Sequence, residues 1–64
     1  MVKINGKEEN AAGKTLAAYL SEAGYDASRV AVERNESIVA KKDYGSTVLR
    51  DGDNIEIVRF VGGG

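Results

Sequence analysis

Apolar residues recur along this chain in two rhythms, every second position in several stretches and every third or fourth in one. Met1-Val2-Lys3-Ile4-Asn5 alternates with period two and predicts a strand. Asn5-Gly6 then supplies a type I′ hairpin turn, which needs positive φ twice. The return through Lys7-Glu8-Glu9-Asn10 is polar and short, as suits an edge strand that must not recruit another sheet. Ala11 to Lys14 reads as a loop. From Leu16 the period changes: Leu16, Tyr19, Leu20 and Ala23 fall on one helical face behind Thr15 as N-cap, and Gly24 ends the helix at C′. After a connection from Tyr25 to Arg29, Val30-Ala31-Val32-Glu33 reads as a buried strand. Asn35-Glu36 turns the chain and Ser37-Ile38-Val39-Ala40 pairs back. Lys41 to Thr47 is irregular, with one helical turn around Lys42-Asp43-Tyr44 before Gly45. Val48-Leu49 plugs the open end of the core, and Asp51-Gly52-Asp53 forms a tight turn into a last strand beginning at Ile55.

One helix and one sheet leave the sheet with one uncovered face. If the first and last strands are central neighbours, they run parallel. The fold class expected is therefore α+β, a β-grasp in which a mixed sheet of four to five strands wraps one helix. Val2, Ile4, Leu16, Leu20, Val30, Val32, Leu49, Ile55 and Ile57 form the expected core. Alternation then sends Glu56, Val58 and Phe60 to the open face. Two large apolar groups there, Val58 and Phe60, make a candidate partner-contact patch.

Sixty-four residues make one small domain, expected over residues 1–61 and followed by a glycine tail over 62–64. The composition, 42% hydrophobic and 30% charged, is that of a globular chain. The absence of cysteine removes disulfides and thiol chemistry, and the absence of histidine removes the usual neutral-pH base and metal ligand. Catalysis carried by this chain alone is thereby nearly excluded. Nine cations interspersed with ten anions leave a net charge of −1 and no basic footprint for nucleic acid or anionic lipid. With no leader-like opening and no long apolar run, a cytoplasmic monomer is the expectation. Asp51 and Asp53 read as turn residues rather than a catalytic or metal-binding pair, and Lys41-Lys42 as a solvated turn. Tyr19, Tyr25 and Tyr44 read as packing at the core edge.

The final ten residues pass from alternating strand into three glycines, which can thread a channel too narrow for side chains. Read alone, this is as much an inert, frayed end as a functional thread. Val30-Ala31-Val32-Glu33-Arg34-Asn35, Ile38-Val39 and the run from Leu49 through Arg50-Asp51-Gly52-Asp53-Asn54-Ile55-Glu56-Ile57-Val58-Arg59-Phe60-Val61 to Gly62-Gly63-Gly64 together resemble the ThiS-type sulfur carriers of thiazole (thiamin) biosynthesis, in the ubiquitin-like β-grasp family. Asn5-Gly6 and Thr15-Leu16 fit the same pattern, whereas Lys7 to Lys14 carries no distinctive motif.

The resemblance implies a protein co-substrate rather than an enzyme. Its terminal carboxylate, here that of Gly64, would be adenylated and converted to a thiocarboxylate, with Gly62 and Gly63 entering the partner's active site. It implies no bound cofactor, ATP being used by a ubiquitin-activating-type, ThiF-like adenylyltransferase. The further partners implied are a ThiG-like thiazole synthase and a sulfur donor such as a cysteine desulfurase. Three readings stand beside it: a molybdopterin synthase small-subunit-type carrier, a ubiquitin-like protein modifier, and a non-covalent β-grasp binding module. The lack of proline near the tail argues against the first of these.

Overall fold

The computed structural model describes residues 1–60. Val61, expected to close the domain, and the tail residues Gly62, Gly63 and Gly64 lie outside the described residues. Strand β1 spans Val2–Ile4 and β2 Lys7–Glu9, and helix α1 runs over Leu16–Glu22. Strands β3 (Val30–Arg34), β4 (Ser37–Val39) and β5 (Asn54–Arg59) follow. Short 3-10 turns occupy Ala27–Arg29 and Lys41–Asp43, the second starting one residue before the turn expected there. The sheet has five strands in the order β2-β1-β5-β3-β4. β1 and β5 are parallel and every other pair antiparallel, so the mixed sheet with a central first and last strand is the one the pattern predicts.

Both hairpins rest on residues in the left-handed region. Asn5 and Gly6 lie at φ +50° and +85°, and Asn35 and Glu36 at +52° and +73°, the pairs of positive φ that a type I′ turn requires. Each two-residue turn fixes the register of its hairpin, Ile4 opposite Lys7 and Arg34 opposite Ser37. Asn5 then continues the β1–β5 pairing with its side chain, accepting from the Ile57 amide at 2.7 Å and donating to the Ile57 carbonyl at 3.2 Å.

The Thr15 hydroxyl caps α1 by accepting from the Ala18 amide at 3.1 Å. Gly24, at φ +84°, ends the helix in a Schellman motif: its amide donates to Ser21 O and that of Tyr25 to Leu20 O. Seven residues are too few for an isolated helix, so α1 depends on packing. Leu16 and Leu20 are fully buried, each stabilising by about 1.5–3 kcal/mol.

All nine expected core residues are buried. Two more join them: Ala11, in the segment read as loop, and Tyr44, read as edge packing but a member of the core itself. Ala23 is exposed because the helix ends at Glu22, leaving Ala23 as C-cap outside the buried stripe. Val48 does not plug the core: it forms an isolated bridge with Thr15, and Leu49 alone turns inward. Among the described residues no helix is long and apolar enough to cross a membrane.

Candidate functional site

β5 is the central strand and the one that leads toward the chain's last residues, so its two ends define what the fold presents. Its inward side chains are Ile55 and Ile57, both buried, and its outward ones Glu56 and Val58. Val58 and Phe60 are each 59% exposed; strand parity accounts for Val58, and Phe60 lies one residue beyond β5. The register adds a residue that the strand pattern alone does not single out. Ile38 lies opposite Glu33, which lies opposite Glu56, so all three share the open face with Val58 and its cross-strand neighbour Ala31. Ile38 is 79% exposed, more than any other large apolar side chain described. Ser37-Ile38-Val39-Ala40 announces a strand, but only the two-residue turn at Asn35-Glu36 decides which of Ile38 and Val39 faces out.

At the far end of β5 the chain is held from two directions. The Arg59 guanidinium carbon lies 4.6 Å from the centroid of the Tyr25 ring, and the Phe60 amide donates to Arg29 O at 2.9 Å. Lys41, read from sequence as part of a solvated turn, has its ammonium 5.6 Å from the Phe60 ring centroid and 5.8 Å from that of Tyr44. The same ammonium donates to Val30 O at 2.6 Å and Ala27 O at 3.2 Å. A lysine at the start of a surface turn carries no sequence signal for these contacts, which arise from the approach of residues 27–30 to residue 60.

The near end of β5 holds the most buried charge among the described residues. Asp53 accepts from Arg34 Nε at 3.0 Å and Asn35 Nδ2 at 3.1 Å, and its Oδ2 also accepts from the Arg50 amide at 3.0 Å and lies 2.9 Å from Arg34 Nη2. Burial pushes the Asp53 carboxyl up, but the Arg50 amide, Asn35 and Arg34 together outweigh burial and hold it below its ordinary value. Asp51 instead points out and pairs with the N-terminal ammonium at 2.5 Å. The turn reading of both residues therefore holds. Among the described residues no group of three or more His, Cys, Asp or Glu side chains comes together to hold a metal ion.

The described residues thus offer an exposed sheet face and a braced strand end, and they contain neither histidine nor cysteine. The class these define is a ubiquitin-like β-grasp protein. A ThiS family model matches residues 2–64, and the chain belongs to the ThiS family. It is 39% identical over 64 residues to the sulfur carrier protein ThiS of Thermus thermophilus, covering all of both chains. It is 52% identical over 62 residues to a thiazole synthase of Paramagnetospirillum magneticum, a match that takes in 95% of this chain but 19% of that protein's length. The crystal structure of a thiamine biosynthesis protein (ThiS) from Geobacter metallireducens superposes with a TM-score of 0.77 at 28% identity, covering 98% of this chain and 97% of the other.

Proposed function

We propose that the chain is a sulfur carrier in thiamin biosynthesis, with the Gly64 carboxylate as the group that carries sulfur. The observation that carries the reading is the end-to-end likeness to the Thermus sulfur carrier, in a chain whose central strand leads directly into Val61-Gly62-Gly63-Gly64. A free carboxylate is a poor electrophile, so it must first be activated. A carboxylate oxygen attacks the α-phosphorus of ATP, pyrophosphate leaves, and an acyl-adenylate forms. Hydrosulfide then attacks the acyl carbon and displaces AMP, leaving a thiocarboxylate. The chain has no histidine or cysteine to contribute, so an activating enzyme of the ThiF-like type supplies the machinery. The carrier acts as a co-substrate, not a catalyst.

Tethering the sulfur to a folded body keeps it out of free solution and delivers it by proximity. A thiazole synthase is its acceptor in this reading, and the 52% identity to part of a protein named thiazole synthase supports the pairing. Val58 and Phe60 form the contact patch for these partners, with Ile38 extending it across the sheet. Gly62 and Gly63 enter the active site because a side chain there would not fit. A cysteine desulfurase is a suitable source of the sulfur: it passes the sulfur on as a persulfide, which a thiol reductant cleaves to hydrosulfide while being oxidised to a disulfide.

Carrier-dependent exchange of labelled pyrophosphate into ATP tests the first step. Exchange is expected with the activating enzyme and the full chain, and none when one residue is appended after Gly64. Equal exchange with the extended chain would show that another group is activated.

A further inference from the structure

The end of β5 is braced by contacts to segments on either side of it. Residues 59 and 60 are consecutive, and their side chains reach two separate segments: Arg59 lies on Tyr25, and Phe60 lies against the Lys41 ammonium. Lys41 is itself fixed from below by the carbonyls of Ala27 and Val30, which take two of its three donors. The Phe60 amide is tied to Arg29 O. Rolling the strand end about its axis to free one residue would strain the hold on the other, so these contacts fix orientation as well as position.

In the function proposed above Gly64 carries the terminal carboxylate, four residues after Phe60. Fully extended they span at most about 14 Å, so the terminal carboxylate works within a sphere of that radius centred on Phe60. Whatever fixes Phe60 fixes the centre of that sphere relative to the open face. Ordering such an anchor beforehand reduces what a partner must order on binding.

We propose that Lys41 is a positioning residue for the carrier's terminal carboxylate: with Arg59 on Tyr25 it clasps Phe60, the root of the tail, so that a protein docked on the open face meets that root at a set place. The proposal rests on the reading that the Gly64 carboxylate is the group a partner activates. It assigns a role to a residue whose sequence context marks it only as a surface turn.

The test uses the full chain with Lys41→Met, Lys41→Arg and Tyr25→Leu, the last removing the platform under Arg59 while leaving Arg59 in place. Hydrogen exchange at the Phe60 amide reads the clasp without any partner. Lys41→Met is expected to speed that exchange about two- to fivefold, the size of one exposed cation–π contact, with the Ile57 amide unchanged. Steady-state activation then reads its use. Lys41→Met and Tyr25→Leu are each expected to raise the KM for the carrier by about two- to fivefold with kcat unaltered, and Lys41→Arg to retain the wild-type KM. Unchanged exchange at Phe60 in Lys41→Met would overturn the clasp. Faster exchange with an unchanged KM, or an Arg variant as impaired as the Met variant, would overturn the positioning role. A wild-type chain that is braced at Phe60 but never activated would overturn the carrier reading and the positioning role together.

Discussion

The two flanks of the six-residue strand β5, Asp53 and Phe60, are held by opposite kinds of interaction. At its start Asp53 is 8% exposed and accepts hydrogen bonds from Arg34, Asn35 and the Arg50 amide, while Asn35 also accepts from the Asn54 amide at 2.9 Å. At its finish Phe60 is 59% exposed and held by one backbone hydrogen bond and the faces of rings. A buried, fully partnered carboxylate is expensive to disturb, because removing it strands several donors at once. Exposed cation–π contacts are each worth only about 0.5–1 kcal/mol. The first end therefore supports the fold, and in the function proposed above the second supports what the fold presents. Stability and sulfur transfer should be separable by mutation along this one strand.

The largest separation is expected at the tail. Deleting Gly64 shortens the reach from Phe60 by about 3.5 Å and should abolish activation. Stability should change by no more than about 0.5 kcal/mol, the usual limit for changes away from packed or hydrogen-bonded groups. Thermal melts paired with an activation assay read both. A truncated chain that melts normally and is activated at the full rate would erase the distinction between the two ends.

Asp53→Ala should show the opposite profile. Arg34, Asn35 and the Arg50 amide lose their acceptor, at a cost of about 2–3 kcal/mol given that Arg34 keeps some access to water. In a domain of this size that lowers Tm by roughly 8–24 °C. The fraction that remains folded should still be activated normally. Urea titration measures the first, and activation well below the new Tm the second.

On the open face, Val58→Asp should weaken partner binding by about 2 kcal/mol, roughly 30-fold, as loss of an anchor in a contact patch does. Its stability cost should be only about 0.5–1 kcal/mol, since Val58 is 59% exposed opposite Ala31. Binding equal to wild type in a folded variant would place the docking surface elsewhere.

The smallest effect concerns pH. Because the Asp53 carboxyl lies below its ordinary value in the folded state, its contribution is complete above the unfolded value near 3.9. That contribution is lost as pH falls through the lower, folded value. Stability should decline on acidification through this window, and Asp53→Asn should flatten the decline. An unaltered pH profile in Asp53→Asn would remove Asp53 as its cause.

Much of this architecture was legible because it depends on near neighbours in sequence. Asn5-Gly6 and Asn35-Glu36 set both hairpins, Thr15 and Gly24 bound the helix, and the alternation of Ile55 and Ile57 with Glu56 and Val58 assigns the two faces of β5. What escaped depends on distant segments meeting. Asp53 reads as a turn residue from Asp51-Gly52-Asp53, and only the fold shows Arg34, 19 residues earlier, folded onto it. Lys41 looks like any surface lysine until residues 27–30 and Phe60 are packed around it. Ile38 and Val39 are indistinguishable by type, and the register of one two-residue turn exposes the first and half-buries the second.

Fragment-resolved mass measurement of the full chain, after incubation with its activating enzyme, ATP and a sulfur source, tests the account most directly. Exchange of one oxygen for sulfur is predicted, localised to Gly64, on a chain whose melting temperature is unchanged. Sulfur mapping to any other residue, or conversion of the tail to an isopeptide with a lysine in place of the thiocarboxylate, would contradict it.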